Sequence, residues 1–180
     1  SAQRIENLVS LVKPLGYVVE YMRSSTANID INNSSLDTNL TLSPYTSVFT
    51  ADVEGLAYNF FYIGNYSGIG ETEDNELTIP PSSTTSNITV YEGRSATIKS
   101  PVPVDFETQS VNINEKKLDT RTLRVYVNEN DGLIHQYTKR SNTNSSTSAD
   151  ERVYFLETTK NGYKISFGGF NDSNGTRIGR

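Results

Sequence analysis

A chain of 180 residues with no cysteine and a formal net charge of −5 is long enough to bury a core without staples. It has no disulfide framework, thiolate metal site or cysteine nucleophile. Its overall acidity argues against a nucleic-acid-binding domain, and no apolar run approaches the ~18 residues of a membrane-spanning helix.

Residues 1–16 read as one short N-terminal amphipathic helix. Ile5, Leu8, Val9 and Val12 recur at helical spacing, and Pro14 with Gly16 ends the run. YVVEYMR (17–23) leans toward a strand. ANIDINNSSLDTNLTL (27–42) alternates apolar and polar residues around a polar break. It predicts a hairpin with its tip near Asn33–Ser35 and Ala27, Ile29, Ile31, Leu36, Leu40 and Leu42 on the buried face. Strand-like pieces follow at VFTADV (48–53), LAYNFFYI (56–63), ELTI (76–79), NITVY (87–91), SATIK (95–99), VPVDF (102–106) and QSVNIN (109–114). TLRVYVN (122–128) and LIHQYT (133–138) flank an Asp131-Gly132 turn. RVYFLET (152–158) and YKISFGGF (163–170) flank Lys160-Asn161-Gly162. PPSSTTS (80–86) and SNTNSSTSAD (141–150) lack periodicity and are expected as flexible loops within one domain over residues 17–180. Short strands spaced by turns predict an all-β fold behind the helix: a mostly antiparallel β-sandwich, Ig-like or jelly-roll-like.

About a third of the chain is Ser, Thr and Asn, and mean hydropathy is −0.51. The apolar residues are nevertheless β-branched or aromatic and fall at period two, unlike a disordered chain. Charge is unevenly spread. No Lys or Arg lies between Arg23 and Arg94, a stretch holding Asp30, Asp37, Asp52, Glu54, Glu71, Glu73, Asp74, Glu76 and Glu92. Acidic and basic regions can pair within one fold, or between neighbouring copies in an assembly.

Catalytic chemistry has few carriers. His135 is the one histidine, so a Ser-His-Asp triad has a single possible base, and no Gly-x-Ser-x-Gly elbow accompanies it. Strand alternation predicts that Ile134 is buried and His135 lies on an exposed face. GNYSGIG (64–70) fits neither a phosphate loop nor a dinucleotide fingerprint. Asp52 and Glu54 share one strand face, and paired carboxylates at a defined separation are what a glycosidase requires. Glu71, Glu73, Asp74 and Glu76 form an acidic cluster that could offer oxygens to calcium. No catalytic residue and no metal ligand is assigned on these patterns, and calcium at that cluster is the one cofactor expectation.

Asn-x-Ser/Thr triplets begin at Asn32, Asn33, Asn39, Asn65, Asn87, Asn144, Asn171 and Asn174, about twice the number this composition gives by chance. They are candidate glycosylation sites. Abundant Tyr with Ser, Asn and Gly suits recognition and subunit contacts, while the absence of Trp lowers the prospect of a sugar-binding platform. No motif identifies a family. The layout of an amphipathic helix before a β-rich body bearing such triplets resembles the soluble part of a pilin-type filament subunit.

The expectation is therefore a non-catalytic extracellular or cell-surface structural or adhesive subunit, with Ile5, Leu8, Val9 and Val12 as an assembly helix. Its partners would be further copies of itself or a protein or glycan surface, with no nucleic acid. A membrane would be met only through a segment outside this sequence; a first residue of Ser rather than Met suits processing or truncation. A virion structural protein (capsid, tail or receptor-binding domain) and a glycan-acting enzyme or carbohydrate-binding module are the alternatives.

Overall fold

The computed structural model describes residues 18–64, 76–101, 110–129, 131–140 and 151–167. The expected helix with Ile5, Leu8, Val9 and Val12, the VPVDF strand and the 141–150 loop lie outside those residues. So do Asn65, Asn144, Asn171, Asn174, Glu71, Glu73 and Asp74. The described residues are all-β, with eleven strands and no helix, and the sheets curl around their cores. No helix among them is long and apolar enough to cross a membrane. The chain divides into two compact units, Ser24–Ile98 and Ser1–Arg23 with Lys99–Arg180.

The Ser24–Ile98 unit contains β1 (Thr26–Asn33), β2 (Leu40–Leu42), β3 (Val48–Val53), β4 (Leu56–Tyr62), β5 (Leu77–Ile79) and β6 (Ser83–Glu92). Four strands form an antiparallel sheet in the order β1-β6-β4-β3, and β2 pairs with β5 in a separate ribbon. Ala27, Ile29 and Ile31 do share the inward face, as alternation predicts. The expected 27–42 hairpin does not form, because β1 pairs with β6 and β2 pairs with β5. Leu42, Tyr62, Ile79, Ile88 and Val90 then make one buried cluster, so the ribbon seals the face of the larger sheet. Leu36 and Leu40, both expected inside, are instead exposed, Leu36 to 88% at the break.

Two local devices fix this sheet. Between β3 and β4, Glu54 and Gly55 both take positive φ (55° and 81°), the geometry of a type I′ hairpin turn, and the Asp52 carboxylate accepts the Gly55 N–H at 3.0 Å. In β6, Asn87 (φ 60°) is the extra residue of a β-bulge. The register steps from Ile29↔Ile88 to Ile31↔Thr85, and the Asp30 carboxylate accepts the Asn87 N–H at 3.0 Å. The bulge rephases the strand, so that Ile88 and Val90 point inward along with Thr85 and Ser83. Ser83–Ser86 therefore belong to a strand, not to the loop expected over 80–86. SATIK (95–99) has no ladder partner.

The other unit contains β7 (Ser110–Ile113), β8 (Val125–Asn128), β9 (Ile134–Arg140), β10 (Val153–Thr159) and β11 (Gly162–Phe167), in the sheet order β7-β11-β10-β9-β8. All its pairs are antiparallel except β9 with β10, which are parallel. Tyr137, Tyr154, Leu156, Tyr163, Ile165 and Phe167 lead its core, and Tyr137 meets Phe167 edge-on at 5.7 Å. Residues 18–23 form no ladder. They lie over this core as a strap: Tyr21 donates its hydroxyl to the Thr159 carbonyl at 2.7 Å, and the Thr158 hydroxyl donates to the Val19 carbonyl at 2.8 Å. Gly162 (φ 149°) closes the β10–β11 turn beneath the end of β7. A Cβ there would lie 2.2 Å from the Ile113 carbonyl oxygen, so only glycine fits.

Candidate functional site

Two carboxylates, a histidine, a tyrosine and an arginine meet at the β8–β9 turn. The turn itself is set by sequence: the Gly132 N–H donates to the Glu129 carbonyl at 3.0 Å, and Gly132 adopts φ 77°. The Asp131 carboxylate accepts the Leu133 N–H at 2.8 Å, which turns its second oxygen toward β9. That oxygen lies 2.7 Å from His135 Nε2. Arg152, just ahead of β10, grips Glu129 with two nitrogens at 2.9 and 3.1 Å, while the Tyr137 hydroxyl donates to Glu129 at 2.9 Å.

His135 is not on the exposed face that alternation predicted. It shares the inward side of β9 with buried Tyr137 and sits opposite Val127, whereas Ile134 is 72% exposed. The phase is set by Tyr137: its ring fills the core, and the strand's period of two then fixes the positions on either side. Inward placement at the strand's end leaves the His135 side chain 20% exposed, close enough to solvent to meet carboxylates.

Electrostatics identify the cluster's character. The Arg152 hydrogen bonds hold the Glu129 carboxyl below its ordinary range, and the His135 hydrogen bond does the same for Asp131. Glu129 in turn raises Arg152 further. Burial, reinforced by the nearby Glu129 carboxylate, pushes the Tyr137 phenol well up, so it stays a neutral donor.

Glu129, Asp131 and His135 present ligand atoms within 4.8 Å of one another, the donor types that zinc accepts. The place of a cation is already taken, however: the Arg152 guanidinium also approaches His135 Nε2 to 3.2 Å. A guanidinium only donates, and so does a protonated Nε2. The nitrogen that gives its proton to Asp131 therefore cannot also accept from Arg152. No hydroxyl or thiol is hydrogen-bonded to His135 among the described residues. The arrangement is an ion-pair clasp joining the β8–β9 turn to the entry of β10.

The remaining candidates are scattered. Asp52 caps the β3–β4 turn and Glu54 sits exposed in it, so this pair faces solvent and not a cleft. Glu76 accepts the Ser43 hydroxyl at 2.7 Å. Asn32, Asn39 and Asn87 are exposed. Asn33 is only 6% exposed, and its Nδ2 donates to the carbonyls of Thr38, Ile79 and Pro80 at 2.9, 3.0 and 3.1 Å. That nitrogen is the atom a glycan would occupy, and in this fold it is turned inward onto three backbone carbonyls. Nothing in the Asn-Ser-Ser triplet distinguishes a structural amide from an accessible one. The clasp was missed because its members lie up to 23 residues apart in sequence; only the NENDG turn hinted at it. No protein family, no characterised protein and no solved structure matches this chain.

Proposed function

We propose that this protein is a non-catalytic structural or adhesive subunit of an extracellular surface, built to associate with further copies of itself. The observation carrying the reading is the character of its sheet edges. Among the described residues β1, β2 and β5 have a partner on one side only, and so, at the ends of the two larger sheets, have three further strands, β3, β7 and β8. None of the three contains Lys, Arg or Pro, the usual guards of an open edge. Large apolar side chains stand in solvent beside them: Val48, Val53 and Leu56 on the β3–β4 hairpin, and Tyr126, Leu133 and Ile134 on the β8–β9 hairpin. Such edges in a folded domain favour strand addition and subunit contact.

The β-sandwich expectation belongs to the same reading. In the Ser24–Ile98 unit the β2–β5 ribbon and the four-stranded sheet share one core, a small two-layer arrangement. The cluster at His135 supports the non-catalytic part, since its charges are matched among themselves. Sedimentation velocity and negative-stain microscopy over a hundredfold concentration range test the proposal. Growing oligomers or filaments are expected; a single 20.0 kDa species at every concentration overturns it.

A further inference from the structure

Resting on that assembly reading, we infer that copies join head to tail, the β3 edge of one copy adding in parallel to the β7 edge of the next. Charge selects this pair. The Ser24–Ile98 unit carries nine Asp and Glu against the single Arg94, a net charge of −8, whereas the rest of the chain is +3. Two units of opposite charge in one chain suit a heterologous contact, in which different surfaces meet and the chain of copies need not close.

The local chemistry agrees with the global charge. At the C-terminal end of β3, Asp52 and Glu54 bracket exposed Val53. At the C-terminal end of β7, the turn that follows holds Lys116 and Lys117. Lys164, on the neighbouring β11, lies opposite Asn112 of the same strand. Glu115 is partly spent within the turn, where its carboxylate accepts the Lys117 N–H at 2.7 Å. Parallel pairing sets the acidic end of β3 against this basic end; antiparallel pairing would set it against the far end of β7. The β8 edge is the weaker partner, because the acids Glu129 and Asp131 stand beside it and Arg152 is committed to them.

Paired reversals test the contact. The Asp52→Lys/Glu54→Lys variant and the Lys116→Glu/Lys117→Glu variant should each lose on the order of tenfold or more in association constant. Mixed in equal amounts, the two variants should co-assemble in alternation and keep growing, since the native basic β7 end of one meets the native acidic β3 end of the other and their reversed ends are complementary in turn. All four substitutions in one chain should restore assembly. Asp52 ends β3 and caps its turn, and the Lys116 ammonium lies 5.6 Å from the Tyr21 ring centroid, so far-UV circular dichroism and thermal melts must first establish that each variant is folded; restored assembly by the quadruple variant is a second control. If wild-type protein assembles but the reversals leave its mass distribution unchanged, or the mixture stays monomeric, the β3–β7 contact is wrong and the assembly reading stands. If wild-type protein never assembles, both fall. Reversals that shift melting with no change in mass place the pairing inside one chain and overturn the proposal.

Discussion

Replacing Asn33 should unfold the Ser24–Ile98 unit far more readily than its surface-like sequence context suggests. The amide nitrogen serves three carbonyls, one of them fully buried at Ile79, and Oδ1 accepts the Ser35 N–H at 3.2 Å. Each bond contributes about 1 kcal/mol net, and an orphaned buried carbonyl costs about 1–3 kcal/mol. Asn33→Ala should therefore lose about 3 kcal/mol. With a urea dependence of about 1.5 kcal/mol/M for a unit of this size, its midpoint falls by about 2 M. Asn33→Asp is nearly isosteric but sets a carboxylate oxygen against three carbonyl oxygens, so the folded state prefers the protonated acid. Its folded pKa then lies above the unfolded value of about 3.9. The penalty is absent well below that value and grows as pH rises, so the Asp variant should gain on wild type between pH 7 and pH 4. Urea unfolding followed by hydrogen exchange in peptides spanning residues 77–92 reads both effects. Variants within about 0.5 kcal/mol of wild type, the range of an ordinary surface substitution, would refute the buried-amide account.

Other consequences are equally specific. Glu129 and Asp131 have depressed pKa values, so their contribution to stability is present above the unfolded carboxylate range and is lost as pH falls through their folded values; carboxyl chemical-shift titration should find both midpoints low, and Arg152→Met should bring that of Glu129 back up. Arg152→Ala removes the resident cation from three potential ligands, and calorimetry should then find zinc binding at least about tenfold tighter than in wild type, because like charge no longer opposes the ion; equal affinities would show that the guanidinium does not compete. Gly162→Ala should cost more than about 3 kcal/mol through collision with the β7 backbone, whereas Gly55→Ala, with open space around its Cβ, should cost only about 1–2 kcal/mol for its positive φ; equal losses in chemical denaturation would contradict this. Spectrophotometric titration should find Tyr154, pushed up by burial, ionising at about 12, with stability contributed by the neutral phenol lost as pH rises past the unfolded value of about 10.

Strand positions were largely legible because alternation is a local signal: Ala27, Ile29 and Ile31 announce their face, and Asp131-Gly132 and Lys160-Asn161-Gly162 announce their turns. Partnership was not legible. The 27–42 stretch has the pattern of a hairpin, yet β1 and β2 choose partners 35 to 65 residues away, β6 and β5, because those pairings close one core around Ile79 and Val90. A bulge hides from pattern reading as well. Asn87 looks like any polar strand residue, and only its positive φ and its bond to Asp30 show that it rephases β6. For His135 the error was one of phase. LIHQYT offers two consecutive aliphatic residues at its start, and either register satisfies alternation until buried Tyr137 is known to set it. The clasp needed the parallel β9–β10 pairing, which carries Arg152 back to the turn. Polar networks assembled from distant strands leave no spacing in the chain to read.

The account rests on association through open sheet edges of opposite charge. The most direct measurement is the sedimentation-velocity distribution of the wild-type chain across concentration, taken at about 0.1 M and about 1 M salt, where the screening length falls from about 10 to 3 Å. The account predicts species that grow with concentration at low salt and shrink toward the 20.0 kDa monomer at high salt. A monomer under all conditions, or oligomers indifferent to salt, would contradict it.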